Sequence, residues 1–461
     1  MNKKYIALLK DTAIFASGSF GSKIILFFLV PLYTNYLSTE EYGIAELVTT
    51  FVSLVVPFSA VSIGQALIRF GMMKTERPEN ALKASFCVFF VSILVTLLLV
   101  PIVCLYEPIK PWKWYLGSLV VLTNLSEIER TYLKVKNKNR TFALISIIQT
   151  FVLALSNIIL LTVFQLGVKG YLLANISALF CTSLVGFFTA QIPTELHKGV
   201  IDRVLLKRMV GFSFPLIFSS VSWWVIHSSD KIMIEWMIGA SVLGIYTAAT
   251  KIPSLINVII GVFNQAWGLS SFREIESSNK EHFFVTVFEV FSTMLFGISI
   301  IITSIMKPFM NVFVGEAFQT AWRYTPLLLS AAVFYSVSAF LGTIYAAIQK
   351  TTNDMWTSVL CAVINVTVNF FGILKYGVWG AILGTLIAFF VVSTLRLYDI
   401  QRYIRLGIDM TRFWLNALLM LVHAVLISAD FHILVVSILS CTCFFMLNTR
   451  IFVCYLKRIK V

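Results

Sequence analysis

Apolar residues come in long stretches along this chain, parted by short polar gaps. Fourteen such stretches lie near residues 11–32, 43–68, 84–105, 113–133, 142–165, 168–191, 209–236, 243–266, 284–306, 324–347, 355–374, 378–399, 412–429 and 432–453. Each approaches the roughly 20 residues that carry a helix across about 30 Å of hydrocarbon. Backbone groups in lipid have no water to bond, so stretches of this length are expected to be helices. The gaps are too short for a soluble domain, and no Gly-rich loop of the type GxxxxGK[ST] occurs, which argues against ATP hydrolysis. The pattern predicts an all-α polytopic membrane protein with about 14 transmembrane helices.

A faint repeat runs through the pattern at an offset of 201 residues. Gly43-Ile44 matches Gly244-Ile245, Ser53-Leu54 matches Ser254-Leu255, and Ser19 matches Ser220. The offset equals six spans with their loops, an even number, so both copies would run in the same direction through the membrane. Two pseudo-symmetric six-helix lobes around a central cavity are therefore expected, residues 1–205 and 206–405. A C-terminal helix pair, 406–461, would be appended to them.

Composition agrees: the chain is 58% hydrophobic, with a mean hydropathy of +0.88. Its net charge of +14 would suggest nucleic acid in a soluble protein. Here the charge is sorted. With the N-terminus placed in the cytoplasm, 27 of the 36 Lys and Arg fall at one membrane face. Lys110, Lys113, Lys169, Lys307, Arg323 and Lys375 fall at the other. Short loops with this asymmetry place both termini in the cytoplasm and make nucleic-acid binding a poor reading. Asp11 and Lys23 interrupt any signal-peptide core, so the first span is expected to be retained. The seven cysteines read as apolar filler, and no metal or other cofactor is expected.

Three cations, Lys23, Lys231 and Lys251, fall inside spans, where a charge costs about 2.5–3.5 kcal/mol on insertion scales. In span 7, Trp223, His227, Asp230 and Ile234 share one helix face, with Lys231 flanking it. An Asp230–Lys231 structural pair, or a snorkelling lysine, is the plainer alternative to a functional face. Span 8 carries a stripe of Thr250, Ser254, Asn257, Gly261, Asn264 and Gly268 beside Lys251. Small residues on such a stripe often mean close packing. A lysine and two asparagines fit a water-facing wall better. In span 2, Glu46, Thr50, Ser53 and Pro57 line one side and Arg69 ends the span; Glu46 could simply neutralise Lys23. Glu127, Glu129 and Arg130 close span 4, where interfacial solvation is the expected reading, and Glu289 stands alone in span 9. Asn365, Asn369 and the glycines at 377, 380 and 384 read as interhelical bonding and packing. Lysines lining one chamber would attract anions strongly in a low dielectric. Trp223, Trp224 and Trp267 could stack on sugar faces.

Two segments carry a family resemblance. The stretch LSTEEYGIAELVTTFVSLVVP followed by Gly64 and Ala66-Leu67-Ile68-Arg69-Phe70 resembles the N-terminal signature of bacterial polysaccharide-unit flippases. These are Wzx-type exporters of O-antigen or capsule repeat units, in the multidrug/oligosaccharidyl-lipid/polysaccharide superfamily. The second segment resembles the same family in Pro215, Ser229-Asp230-Lys231, Gly244-Ile245-Tyr246, Lys251-Ile252-Pro253 and Gln265-Ala266-Trp267. The resemblance implies that the Asp230, Lys231 and Lys251 region lines the cavity. It implies an undecaprenyl-diphosphate-linked oligosaccharide as cargo, moved to the outer leaflet by alternating access. A polysaccharide polymerase and a chain-length regulator are the partners it suggests, with the chain itself a monomer in membrane lipid. Members commonly have twelve spans, so the extra pair is a departure.

The candidate cargo-binding residues are thus Lys23, Arg69, Trp223, Lys231, Lys251, Asn257 and Trp267, and the candidate coupling residues are Glu46, His227 and Asp230. A drug or cation antiporter of the same superfamily should carry mainly acidic cavity residues. A membrane glycan polymerase or glycosyltransferase would need a sizeable outer loop. Neither pattern is found, and a non-enzymatic transporter is the expected class.

Overall fold

A computed structural model describes residues 25–73, 75–275, 280–404 and 407–459 of the chain. Lys23, and with it the start of the first predicted span, lies outside the described residues. The described chain is helical almost throughout. It begins with α1 (Ile25–Tyr36), α2 (Thr39–Ser59), α3 (Ile63–Gly71) and α4 (Pro78–Val103). There follow α5 (Lys113–Val135), α6 (Asn139–Ile158), α7 (Gly167–Thr189), α8 (Ile192–Lys198) and α9 (Arg203–Met237). The remainder is α10 (Ala240–Glu274), α11 (Lys280–Ser304), α12 (Met306–Phe313), α13 (Thr325–Ala347), α14 (Thr351–Tyr376), α15 (Val378–Ile400), α16 (Met410–Ser428) and α17 (Ile433–Ile459).

Each predicted span coincides, where described, with helix. Ten of these helices, among the described residues, are long and apolar enough to cross a membrane, which makes the chain a multi-pass membrane protein. Ile25–Tyr36 and Ile433–Thr449 are apolar but shorter, and α5 and α10 fall outside those twelve.

Helix ends follow local chemistry. Ser38 opens α2 with a capping box: its hydroxyl accepts from the Glu41 N–H at 3.1 Å, and the Glu41 carboxylate accepts from the Ser38 N–H at 2.9 Å. Asp409 caps α16 by accepting from the Arg412 N–H at 3.0 Å. The repeat is visible in the same terms, because α2 starts at Thr39 and α10 at Ala240, the offset seen in the sequence. The copies then diverge. The predicted span 43–68 is two helices, interrupted where Val61 and Ser62 adopt left-handed φ values of 54° and 50°. Its counterpart α10 runs unbroken to Glu274.

Contacts divide the chain into two compact units, Ile24–Ile232 and Met233–Val461. In the first, Leu67 and Phe70 of α3, Phe86 of α4, Tyr132 of α5 and Met209 of α9 belong to one apolar core. The end of this unit predicted to face the cytoplasm is tied by charge. Lys136 reaches Glu79 at 2.6 Å and Glu195 at 2.7 Å, and Tyr132 donates to Glu195 at 2.5 Å. Lys198 adds a third contact to Glu195 at 3.0 Å.

In the second unit α13 is the central helix, packed on α10, α11, α15 and α16. Helices α14 and α15 form a tight hairpin around Gly377, whose φ of 58° suits glycine. Their backbones touch: a Cβ on Gly380 would run into the Gly372 carbonyl, and one on Gly384 into Asn369 Oδ1. Asn369 donates to Asn365 Oδ1 at 3.2 Å, and Asn365 donates to Thr385 across the hairpin at 3.2 Å. The packing role expected of Gly380, Gly384 and the two asparagines is what the structure shows.

Candidate functional site

The polar side of α2 predicted from Glu46, Thr50 and Ser53 meets α9. Glu46 is buried in the first unit, and the Lys231 ammonium lies 3.2 Å from its Oε2. Tyr171 of α7 donates to the other carboxylate oxygen at 3.3 Å. Two more tyrosines complete the enclosure. The Tyr33 ring stacks on Tyr42 at 5.9 Å and meets Tyr171 edge-on at 4.9 Å. Two turns earlier on α9, the Trp224 indole N–H donates to the Thr50 carbonyl at 3.0 Å and to Ser53 Oγ at 3.1 Å. Trp224 and Lys231, seven residues apart, thus bind α9 to α2 along one stripe.

This geometry bears on the expectation that Lys231 helps to line an anion-attracting chamber. Among the described residues Lys231 is paired, and its partner is Glu46 on another helix instead of the adjacent Asp230. Asp230 is buried, and its Oδ1 accepts from the backbone N–H of Lys231 at 2.8 Å. A close Glu–Lys pair in a span nearly cancels its own field at a distance, so it attracts no anion as a free lysine would.

The face predicted from Trp223, His227, Asp230 and Ile234 is not uniform. Trp223 is 46% exposed and stacks parallel on the exposed His227 ring, with centroids 5.8 Å apart and planes at 10°. Ile234, at the end of the same face, is fully buried. Of this face, Trp223 and His227 are the residues that present accessible rings.

Arg69 is exposed on α3, its guanidinium 4.3 Å from the centre of the Phe212 ring. Such stacking holds the stem while leaving the donors available.

In the second unit the α10 stripe is open. Thr250, Asn257 and Asn264 are half-buried, Ser254 is exposed, and a Cβ on Gly261 or Gly268 would meet nothing within 4 Å among the described residues. Among the described residues no neighbouring helix packs on these glycines. Asn257 Oδ1 and Asn264 Oδ1 find no hydrogen-bond partner among the described residues. Lys251 is half-buried beside this stripe.

Trp267 overturns its prediction. It is 0% exposed and sandwiched against Phe340 at 4.3 Å, with Phe284 edge-on at 5.3 Å, and its N–H donates to the Phe340 carbonyl at 3.3 Å. It fills the core of the second unit and offers no face to a sugar.

The partnerships of two charged groups are not legible in the sequence. Arg396 falls near the inner end of the predicted span 378–399. It lies within α15, 5% exposed, bonded to Asp354 at 2.8 Å, the Ser338 carbonyl at 3.0 Å, Thr357 at 3.0 Å and Ser358 at 2.9 Å. Glu289, read as solitary, is paired with Arg412 at 2.6 Å, on the wall of a shallow cleft that also includes Asp409 and Asn416. No periodicity links residues so far apart in sequence, so neither partnership had a signal. Among the described residues no group of His, Cys, Asp and Glu could hold a metal ion.

Known proteins resemble this chain in sequence and in fold. A protein of the Lsg locus of Haemophilus influenzae is 22% identical over 260 residues, 56% of this chain and 64% of that protein. The succinoglycan biosynthesis transport protein ExoT of Rhizobium meliloti is 24% identical over 344 residues, 70% of this chain and 66% of ExoT. The chain thus spans a little under two thirds of the length of these two relatives. Among solved structures, the lipid II flippase MurJ in an inward closed conformation superposes with a TM-score of 0.70 at 16% identity, covering 95% of this chain and 100% of MurJ. An inward-facing multidrug resistance MATE transporter of the MOP superfamily superposes with a TM-score of 0.68 at 14% identity, covering 86% of this chain and 98% of that one. The fold is the one these flippases and exporters share. A family model described as polysaccharide biosynthesis protein matches residues 8–267, and the chain belongs to that family.

Proposed function

We propose that this protein is a flippase. It moves a lipid-diphosphate-linked oligosaccharide repeat unit across the bacterial inner membrane by alternating access, for assembly of a surface polysaccharide such as O-antigen or capsule. The observation that carries the reading is a set of polar and cationic groups held within membrane helices of a chain with this fold. Lys251 stands beside the open stripe of α10, and Trp223 and His227 stand accessible on α9. Charge is retained inside spans where it serves transport. The names of the relatives agree: one is a succinoglycan biosynthesis transport protein, and one fold-mate flips lipid II.

In this reading the cargo's diphosphate is met by Lys251, Lys23 and Arg69, Asn257 donates its amide, and the Trp223 ring packs on a sugar. Lys231 acts through its pair with Glu46, and Asp230 and His227 are the nearby groups able to change charge during the cycle. Export of a diphosphate from an inside-negative cell is helped by roughly 2.3 kcal/mol per charge per 100 mV. The undecaprenyl carrier, the cytoplasmic termini, a monomeric state and work beside a polymerase and chain-length regulator complete the proposal.

Lys251 tests it. In a strain deleted for its own exporter, Lys251→Ala is expected to abolish surface polysaccharide while the protein remains in the membrane at normal amount. Lys251→Arg should restore more polymer than Lys251→Gln. Equal rescue by Arg and Gln would remove anion attraction from the mechanism.

A further inference from the structure

The transport reading leaves unused a carboxyl deep in the first unit. Glu129 was expected to be solvated at the interface, yet it is 2% exposed. It lies six residues before the end of α5, about 9 Å along the helix axis. It faces α7 at Gly186, where a Cβ would come within 2.8 Å of Oε2. A side chain there would push the carboxyl aside. Oε1 has no hydrogen-bond partner among the described residues. The Ser183 hydroxyl, one turn away on α7 and buried beside the carboxyl, also makes no hydrogen bond of ordinary geometry.

The cations of neighbouring elements are engaged elsewhere. Arg130, adjacent in sequence, is near enough for its charge to act on Glu129, but successive helical residues point about 100° apart, and its guanidinium hydrogen-bonds to Gln149 of α6 instead of to the carboxyl. Arg69 of α3 is stacked on Phe212, Lys83 of α4 donates to the Gly199 carbonyl, and Lys169 sits at the far end of α7. Of the acids, Glu46 of α2 is paired with Lys231, and Glu127 on α5 faces Gly64 of α3. The short helix before α5 carries Glu107 and Lys110, paired with each other at the opposite end.

A charged carboxylate enclosed without a partner is costly, and a proton removes the charge. The neutral acid also has an O–H to donate, which Ser183 can accept. A metal ion would need a shell of several oxygens. The described surroundings offer the carboxyl and one hydroxyl. We propose that Glu129 is a site at which this transporter binds and releases a proton, neutral while α5 and α7 are packed at Gly186 and ionised when the two helices part there. Packing of one helix pair thereby depends on proton activity. The coupling role rests on the transport reading above; proton binding at Glu129 does not.

Infrared spectroscopy of the purified full-length protein in lipid, without cargo, tests it. At neutral pH the wild type is expected to show a carboxylic-acid C=O band that disappears on alkaline titration and that Glu129→Gln lacks. The band should be unchanged when sodium replaces choline in the buffer. A wild type with no such band at neutral pH overturns the proposal with no variant needed. So does a Glu129→Gln spectrum identical to wild type in that region, or a band abolished by sodium. In cells, Glu129→Gln should keep the protein in the membrane and flatten the pH dependence of export. An unaltered pH profile would remove the coupling role. Failure of the infrared result leaves the transport reading standing, since that reading is judged on Lys251.

Discussion

Replacing Lys231 by Met removes the ammonium 3.2 Å from Glu46 Oε2 and keeps most of the side-chain volume. At this separation two unit charges attract by about 5 kcal/mol with an effective dielectric of 20. Desolvation has already consumed much of that, so the intact pair stabilises little, whereas an orphaned buried charge costs about 3–5 kcal/mol. The lower end applies here. The Lys231 side chain is 20% exposed, and Tyr171 still donates to the carboxylate after the change. Lys231→Met should therefore cost about 3 kcal/mol. Glu46→Gln should cost about as much, and the double variant Glu46→Gln with Lys231→Met should cost much less than either. The assay is a double-mutant cycle on the protein in lipid, with reversible unfolding followed by tryptophan fluorescence. Effects of the two single changes that simply add in the double variant would refute the pairing. If the double variant also exports polysaccharide, the pair is a structural tie and Asp230 and His227 are left as the groups near it able to change charge.

Glu195 lies outside the predicted spans; burial raises its pKa, but hydrogen bonds from Lys136, Tyr132 and Lys198 outweigh this and hold it at about 2. A lowered folded pKa gives stability that is present above the usual carboxylate value of 4.5 and lost as pH falls toward 2. Unfolding followed between these limits should show roughly 2 kcal/mol of acid-sensitive stability, much reduced in Lys136→Met; equal slopes would disprove the clamp. Trp267→Ala should cost about 3–5 kcal/mol, seen as loss of folded protein from the membrane, whereas Trp223→Ala should leave the amount of protein unchanged and lower export. The reverse ranking would return Trp267 to the cargo.

The helices were readable because lipid imposes one rule on every span, and hydropathy reports it directly. The capping box at Ser38 and Glu41 and the glycine contacts of the α14–α15 hairpin are short-range patterns that sequence also carries. Partnerships between distant helices are different. Lys231 sits beside Asp230 in sequence but bonds Glu46, 185 positions away, because helical geometry sends neighbours to different faces. Trp267 is amphipathic, and the same residue type serves a core or a sugar equally well. Its fate was fixed by Phe283, Phe284 and Phe340, which no periodicity ties to it. The break after Ala60 was invisible because neither Val61 nor Ser62 is a residue that favours left-handed backbone.

That break has a mechanical consequence. A helix with no such break, such as α10 despite its Pro253, keeps its two ends in one hydrogen-bonded rod, so a turn of one end is felt at the other. The second helix of the first unit is a shaft with a universal joint. Two consecutive left-handed residues, one of them β-branched, cost roughly 1–2 kcal/mol each to hold, and they uncouple the rotation of α3 from that of α2. Arg69 rides on the short segment beyond the joint, nine residues long. That segment's direction is set by packing on α4 and α5 and not by α2, whereas the Lys251 stripe shares the direction of one unbroken helix.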